Sequence, residues 1–138
     1  SRAAAENVIP TTTGAARAVG KVLPELDGKL DGIAMRVPVP DGSVVDLNVR
    51  LKQDVTINMI NDAVLDASNQ DSMSDVLEYS NLPVVSTDII GNKHSSIFDA
   101  PFTRVIDKTF VKTLNWYDNE WGYSNRVVDL MTVLGKFL

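Results

Sequence analysis

Residues 32–54, GIAMRVPVPDGSVVDLNVRLKQD, carry the clearest strand pattern in the chain and decide its predicted fold. On each side of Asp41-Gly42 every second residue is apolar: Ile33, Met35, Val37 and Val39, then Val45, Leu47, Val49 and Leu51. This alternation is typical of half-buried strands, and an Asp-Gly pair between two such runs predicts a β-hairpin. Pro38 and Pro40 lack a backbone donor, so they restrict the first strand to an edge or a distorted end.

Helical patterns lie on both sides of this hairpin. Residues 9–26 begin with turn chemistry and become helical after a capping threonine, and Pro24 keeps that helix short. Residues 55–70 form a predicted amphipathic helix with Thr56 as its N-cap. A final helix is predicted over residues 119–138, with one apolar face made by Val127, Met131 and Leu134.

Shorter segments complete the predicted architecture. Residues 71–80 indicate a further helical turn, and short strands are predicted at residues 82–88 and 95–101. A second hairpin over residues 103–117 turns near Asp107-Lys108. Because hairpins dominate among the interleaved strands and helices, we predict an α+β fold with a mixed, largely antiparallel sheet and helices packed on one face.

Composition bounds the class of protein. The chain has 138 residues, of which 44% are hydrophobic and 22% charged, and this suits a single domain over residues 1–138. Its net charge is -5 without a run of Lys or Arg, so no nucleic-acid or anionic membrane partner is expected. No apolar run approaches the roughly 18–20 residues that a membrane span needs. The chain has no cysteine, which excludes disulfides, Cys-ligated metals and a thiol nucleophile within it.

Two features near the beginning of the chain are candidates for anion binding. The predicted helix start at Thr13-Gly14 offers backbone N–H groups, a hydroxyl and a glycine that permits close approach of a phosphate. Ordinary helix capping explains the same residues. Arg36 lies on the strand face opposite Ile33 and Met35. Its guanidinium would either clamp a phosphate or carboxylate or form a surface salt bridge.

The segment WYDNEWGY at residues 116–123 places both tryptophans and an acidic stretch on one turn. One interpretation is a core corner in which the tryptophans pack and Asp118 or Asn119 caps the last helix. The other is a binding wall in which the Asn119 amide hydrogen-bonds a ligand amide and Tyr123 flanks a flat ring. The only histidine, His94, has no cysteine to activate and no triad context, so we predict that it is structural or solvent-exposed.

Three stretches together closely resemble the catalytic domain of phosphorylating glyceraldehyde-3-phosphate dehydrogenases. They are RAAAENVIPTTTGAARAVGKVLPELDGKLDGIAMRVPVPDGSVVDL at residues 2–47, SSIFDA at residues 95–100 and WYDNEWGYSNRVVDL at residues 116–130, in the order of the family. The resemblance covers nearly the whole chain and is least distinctive over residues 54–91. It implies an α+β domain whose sheet helps to form a homotetramer interface.

The resemblance also implies a role for each matching residue. Thr13 and Gly14 match the helix start that helps to hold inorganic phosphate, and Arg36 matches the arginine that holds the C3 phosphate of the substrate. Asn119 matches the asparagine that hydrogen-bonds the nicotinamide carboxamide of NAD, and Tyr123 matches the tyrosine near that ring. No residue of this chain matches the catalytic cysteine or histidine of the family, and no metal site is implied.

The nucleophile and the dinucleotide-binding domain of the family lie upstream of the stretch that matches Ser1. The resemblance therefore implies a fragment of a longer cytoplasmic enzyme, and a start without an initiator Met fits that expectation. The parent would be a glycolytic homotetramer that converts glyceraldehyde 3-phosphate to 1,3-bisphosphoglycerate with NAD, and the chain alone would be inactive. A paralogue acting on erythrose 4-phosphate and a non-catalytic binding or scaffold module with the same fold stay open as alternatives.

Overall fold

The chain forms two compact units, Ser1–Pro40 and Asp41–Leu138. The structure is a computed structural model, and it describes residues 2–137. Each unit has a sheet of its own. The expectation of a single domain over residues 1–138 stays a prediction.

The first unit is built on a two-stranded antiparallel sheet. Strand β1 (Ile9–Thr12) pairs with strand β2 (Ile33–Arg36), so that Ile9 lies opposite Arg36 and Thr12 opposite Ile33. Helix α1 (Ala15–Val22) lies between the strands in sequence, with short 3₁₀ turns at Ala4–Glu6 and Pro24–Leu26. The helix ends before Pro24, as predicted, because proline disfavours helical geometry in the residue before it.

The second unit contains a mixed sheet. Its strands are β3 (Ser43–Arg50), β4 (Leu77–Ser80), β5 (Ser96–Asp99), β6 (Arg104–Ile106) and β7 (Phe110–Tyr117). The strand order is β3-β7-β5-β4, and β6 also pairs with β7. Strands β4 and β5 are parallel and the other described pairs are antiparallel, so the predicted mixed, largely antiparallel sheet is confirmed.

The helices described in the second unit are α2 (Ile57–Ser68), α3 (Ser86–Ile89) and α4 (Trp121–Leu134), with 3₁₀ turns at Ala100–Phe102 and Gly135–Phe137. Thr56 caps α2 as predicted, because its hydroxyl accepts a hydrogen bond from the Met59 N–H at 3.2 Å. Helices and a mixed sheet together confirm the α+β class. None of the helices in residues 2–137 is long and apolar enough to cross a membrane.

The core of the second unit is centred on β5. Its buried apolar side chains are Val55, Ile89, Ile97, Phe98, Ala100 and Val111. Phe98 also stacks on Tyr79 of the parallel strand β4, with ring centroids 5.9 Å apart. The segment just before β5 packs closely on the start of α4, where a Cβ on Gly122 would lie 3.3 Å from the His94 carbonyl oxygen. The buried strand therefore holds that segment in place beside α4.

The predicted hairpin across Asp41-Gly42 is wrong. Strand β2 pairs with β1 in the first unit, whereas β3 pairs along its whole length with β7, from Ser43 opposite Tyr117 to Arg50 opposite Phe110. This ladder uses all 8 residues of β3, and β2 has only 4 residues to offer. The longer ladder satisfies more backbone groups, so the distant partner prevails over the neighbouring one.

Three shorter assignments are also corrected. Residues 82–88, predicted as a strand, overlap α3 (Ser86–Ile89), whose start is stabilised by Asp88 Oδ2 accepting a hydrogen bond from the Val85 N–H at 2.8 Å. Residues 71–80, predicted as a helical turn, contain β4, and residues 9–12, predicted as a turn, form β1. Both strands are four residues long and depend on a partner strand that the local pattern does not reveal.

The second predicted hairpin is confirmed. Strands β6 and β7 pair antiparallel, from Arg104 opposite Lys112 to Ile106 opposite Phe110. The connection turns at Asp107 and Lys108, whose φ angles are 48° and 59°. Such positive φ values are typical of tight hairpin turns. Asp107 belongs to the small set of residue types that tolerate the left-handed region.

Candidate functional site

The start of α1 carries Thr13 and Gly14, the two residues predicted to bind an anion. Gly14 is the N-cap residue, and the hydroxyl of Thr13 accepts a hydrogen bond from the Ala15 N–H at 3.1 Å. Helix geometry leaves the N–H groups of Ala16 and Arg17 without a partner inside the helix. A Cβ built on Gly14 would meet nothing within 4 Å beyond its chain neighbours and its own helix. A ligand can therefore approach this backbone. The predicted threonine N-cap is corrected: Gly14 occupies the N-cap position, and Thr13 before it bonds only to the N–H of the first helical residue.

Arg36 ends β2 and is exposed. Its predicted neighbours on the opposite face, Ile33 and Met35, are 69% and 53% exposed, so the expected apolar face of this strand is not part of a core. In the part of the chain that the structure describes, Arg36 takes part in no salt bridge. Its guanidinium is thus available to an anionic ligand.

Thr13 and Arg36 lie toward opposite ends of the two-stranded sheet. Thr12, the residue before Thr13, pairs with Ile33, whereas Arg36 pairs with Ile9. Three steps along β2 separate these two ends, about 10 Å at the usual rise of a strand.

In the second unit, Asn119 and Tyr123 line an open cavity of about 360 Å³ at the start of α4. Ser95, Gly122 and Arg126 contribute to the same wall. Asn119 is exposed and Tyr123 is 71% exposed, so both side chains can be reached from solvent. The structure thus brings these two predicted residues together, and the predicted phosphate-binding residues belong to the first unit.

Asp118 fixes the turn that carries Asn119. Its carboxylate is only 2% exposed and accepts hydrogen bonds from the N–H groups of Trp121 at 2.7 Å, Gly91 at 2.8 Å and Glu120 at 2.9 Å. Burial disfavours the charged carboxylate, but these donors outweigh it and hold the pKa of Asp118 below its usual value. Of the two residues predicted to cap α4, Asp118 bonds to the N–H of its first residue, Trp121, although Glu120 occupies the N-cap position.

The two tryptophans of this segment have different environments. Trp116 is half-buried, and its Nε1 donates to Oδ2 of Asp99 at 2.8 Å. Asp99 is fully buried at the end of β5. Trp121 begins α4 and is 52% exposed. The predicted packing therefore holds for Trp116 and is wrong for Trp121.

Two residues at this site were not predicted from the sequence. Ser43 donates a hydrogen bond from Oγ to Oδ1 of Asn119 at 3.0 Å. Arg126 lines the cavity, donates to Ser95 Oγ at 3.2 Å and forms a salt bridge with Asp129 at 2.7 Å. The i,i+3 spacing of Arg126 and Asp129 on a predicted helix is a visible signal. The place of Ser43 depends on the register of β3 against β7, which no local pattern reveals.

His94 lies outside the cavity lining and ties neighbouring segments together. Its Nδ1 lies 2.8 Å from Asn92 Oδ1 and 2.9 Å from Glu78 Oε2, and its Nε2 lies 3.2 Å from the Ser74 carbonyl oxygen. These contacts join the segment before β5 to β4 and to the turn before it. They agree with the structural role predicted for this histidine.

Comparison with known proteins identifies relatives of the chain. The family described as "Glyceraldehyde 3-phosphate dehydrogenase, C-terminal domain" matches residues 1–119. Proteins named glyceraldehyde-3-phosphate dehydrogenase from Mycobacterium tuberculosis (strain ATCC 25618 / H37Rv) and Mycobacterium leprae (strain TN) are 53% and 54% identical over all 138 residues. The protein of that name from Borreliella burgdorferi is 57% identical over 137 residues, 99% of this chain. The chain covers 40% of each mycobacterial protein and 41% of the third, less than half of their length.

Proposed function

The chain belongs to the glyceraldehyde-3-phosphate dehydrogenase family and matches its C-terminal domain, and from this premise we propose that it is the substrate- and cofactor-positioning part of a glycolytic enzyme. The proposed parent oxidises glyceraldehyde 3-phosphate with NAD and phosphorylates it to 1,3-bisphosphoglycerate in the cytoplasm. Its chemistry requires a hydride acceptor, a nucleophile and two phosphate sites. Residues of this chain are suited to hold the two phosphates and the cofactor ring, but the chain has no cysteine to act as the nucleophile.

The observation that carries the proposal is the exposed Asn119 amide beside Tyr123 on the cavity wall. A side-chain amide offers both a donor and an acceptor to a ligand carboxamide. The Tyr123 ring offers a flat surface on which a second ring can stack. NAD, when bound, supplies the hydride acceptor. The contribution of this chain is orientation, because a ring held at its carboxamide presents a defined face to the substrate.

The first unit supplies the two anion sites of the proposal. Arg36 binds the C3 phosphate of the substrate through charge-assisted hydrogen bonds. Thr13 and Gly14 hold inorganic phosphate, the acyl acceptor, at the start of α1. The separation of about 10 Å along β2 supports this division. A triose phosphate carries its phosphate at one end and its reacting carbon at the other, so the two phosphates must be held apart.

The nucleophile must come from another part of the parent. The proposed reaction forms its covalent intermediate on a thiolate, and this chain has no cysteine. The domain therefore positions substrate, phosphate and cofactor ring for a cysteine that it does not contain. Positioning of this kind lowers the barrier by fixing reacting groups in advance.

We also propose that the parent is a homotetramer in which the sheet of this domain contributes to an interface. Strand β3 exposes Val45 and Leu47 on one face of the sheet and Val44 on the other, so apolar side chains are available to a partner on this strand. The proposal includes no nucleic-acid or membrane partner, in keeping with the acidic net charge of -5.

The proposal is tested by two substitutions in the full-length enzyme. Arg36→Ala should raise the KM for glyceraldehyde 3-phosphate by about 10- to 100-fold, because the phosphate loses a charged hydrogen-bond donor. Asn119→Ala should weaken NAD binding by about 3- to 10-fold, because one hydrogen-bonded pair is lost. Steady-state kinetics measure the first effect, and titration of NAD by fluorescence measures the second.

Lys21→Ala is the control, since it removes an exposed positive charge from the same unit at the last turn of α1, the opposite end of the helix from Thr13 and Gly14. This variant should change neither the KM for glyceraldehyde 3-phosphate nor the dissociation constant for NAD. An Arg36→Ala enzyme with an unaltered KM would refute the substrate-phosphate assignment. Unaltered NAD affinity in Asn119→Ala would refute the cofactor assignment. A higher kcat/KM for erythrose 4-phosphate than for glyceraldehyde 3-phosphate would favour the paralogue.

A further inference from the structure

We propose that Ser43 is a positioning residue, which fixes the amide of Asn119 and through it the nicotinamide ring of the cofactor. The inference rests on the proposed function, because it assigns a task to a residue that contacts the cofactor anchor and not the cofactor itself. Its basis is a side-chain contact between two segments 76 residues apart in sequence: Ser43 Oγ lies 3.0 Å from Asn119 Oδ1.

Two contacts define which end of the Asn119 amide is which. Asn119 Nδ2 donates to Glu120 Oε1 at 3.3 Å, and an ionised carboxylate can only accept. The NH₂ end must therefore face Glu120. The carbonyl end then faces Ser43, whose hydroxyl must donate, since two oxygens without a hydrogen between them would repel. The amide plane is thus set by one partner at each end.

The two partners differ in how firmly they are held. Ser43 begins β3 and lies opposite Tyr117, the last residue of β7, so the β3–β7 ladder determines its place. Asn119 and Glu120 are exposed and lie between β7 and α4. A strand residue of the sheet therefore supports a side chain on the exposed turn. Side chains that act on a ligand are held more accurately when a second side chain on a rigid element supports them.

The remaining hydrogen-bonding capacity of Asn119 suits a primary carboxamide. A side-chain amide has two N–H donors and two acceptor positions. Glu120 takes one donor and Ser43 takes one acceptor position, which leaves one N–H and one lone pair. A carboxamide presents one acceptor and one donor to this pair. A carboxylate in the same place would meet the lone pair with a second acceptor, so the arrangement selects an amide over an acid.

The test compares NAD with ADP-ribose, which lacks the nicotinamide ring, in the full-length enzyme. Dissociation constants for both ligands are measured by calorimetry for the wild type, Ser43→Ala, Ser43→Thr and Asn119→Ala. We expect Ser43→Ala to weaken NAD binding by about 3- to 10-fold and to leave ADP-ribose binding unaltered. Ser43→Thr keeps the hydroxyl and should restore most of the NAD affinity.

A cofactor with nicotinic acid in place of nicotinamide gives a second readout. The wild type should prefer NAD to this acid analogue, and Ser43→Ala should narrow the preference by about 3-fold or more. A merely structural role of Ser43 would weaken both cofactors equally and leave the ratio unaltered. That result would overturn the inference.

Other outcomes separate this inference from the proposed function. If Asn119→Ala weakens NAD while Ser43→Ala does not, Ser43 has no positioning role and the cofactor assignment stands. If Ser43→Ala weakens NAD and ADP-ribose alike, or if Ser43→Thr binds no better than Ser43→Ala, the inference also fails. If Asn119→Ala leaves the ratio of NAD to ADP-ribose affinity unaltered, the proposed function fails at its cofactor site.

Discussion

At the residue scale, the Asp118 carboxylate stabilises the turn between β7 and α4 by accepting hydrogen bonds from three backbone N–H groups. When folding lowers the pKa of a carboxyl group, the free energy of unfolding depends on pH. The unfolded chain binds the proton more tightly than the folded chain does. The ionised Asp118 carboxylate therefore contributes its full stabilisation above pH 3.8, the ordinary pKa of the group. This stabilisation is lost as the pH falls through the lower pKa of the folded state.

Asp118→Asn should reduce the free energy of unfolding by about 1–3 kcal/mol at neutral pH, because the amide cannot accept from all three donors. The difference from the wild type should shrink as pH falls below 3.8 and through the lower pKa of the folded state, where the native carboxylate becomes protonated. Urea unfolding at several pH values measures this. Asp75→Asn is the control: hydrogen bonding to Lys93 lowers the pKa of Asp75, but Asp75 is exposed. If the loss of unfolding free energy had the same pH dependence in Asp118→Asn and Asp75→Asn, the stabilising role assigned to Asp118 would be contradicted.

Trp116 is the partner of a fully buried carboxylate. Asp99 Oδ2 accepts from Trp116 Nε1, and Asp99 Oδ1 has no hydrogen-bond partner within residues 2–137. Trp116→Phe removes the donor and should cost about 1–3 kcal/mol of unfolding free energy, because a buried polar oxygen is left without a hydrogen bond. Trp121→Phe, at an exposed position, should cost less than about 0.5 kcal/mol. Denaturant unfolding compares the two, and similar costs would show that the Asp99 contact is unimportant.

At the element scale, the outcome at Asp41-Gly42 shows what a local pattern leaves open. The pair was predicted as a hairpin turn, and Gly42 does adopt the positive φ that such a turn needs, +86°. The structure uses this conformation instead to begin β3 close to α3. A Cβ on Gly42 would lie 2.8 Å from the Ser86 carbonyl oxygen. The glycine was thus identified from the sequence, but the partner that requires it lies 44 residues away.

Gly42→Ala should therefore reduce the free energy of unfolding by about 1–3 kcal/mol, from a positive φ and a backbone clash together. It should also weaken NAD binding in the full-length enzyme, since Ser43 is the next residue. Gly135→Ala is the matched control. Gly135 has φ −61° and open space around it, so alanine there should be neutral or stabilise by up to about 1 kcal/mol. Thermal or denaturant unfolding checks both, and a neutral Gly42→Ala would refute the tight approach.

Elements specified by adjacent residues were predictable, and those specified by distant ones were not. Helix α2 has its cap, Thr56, immediately before it, and the β6–β7 hairpin has its turn residues between its strands. Strands β1 and β4 lack such signals because their partners decide them. Ser43 was not predicted for the same reason: its contact with Asn119 depends on the pairing of β3 with the distant strand β7.

At the scale of the whole molecule, a large apolar surface is left uncovered. The face of α4 that was predicted from Val127, Met131 and Leu134 is exposed, and so are Val128, Leu130, Val133 and Phe137. Monomeric soluble proteins rarely expose contiguous patches of this kind. This surface is consistent with a domain that covers only 40% of its mycobacterial relatives. In the proposed parent, other parts of the enzyme or its subunits would bury such faces.

The last prediction concerns the activity of the 138-residue chain by itself. We expect it to form no NADH from glyceraldehyde 3-phosphate, NAD and inorganic phosphate, because the proposed reaction needs a thiolate and the chain has no cysteine. Positioning groups alone leave the reaction without its covalent step. The measurement is NADH absorbance, with the full-length enzyme as positive control and the full-length enzyme with its thiols alkylated as matched negative control. NADH formation that co-purifies with the chain through successive separations would refute the positioning role, because the chain would then contain a nucleophile other than cysteine.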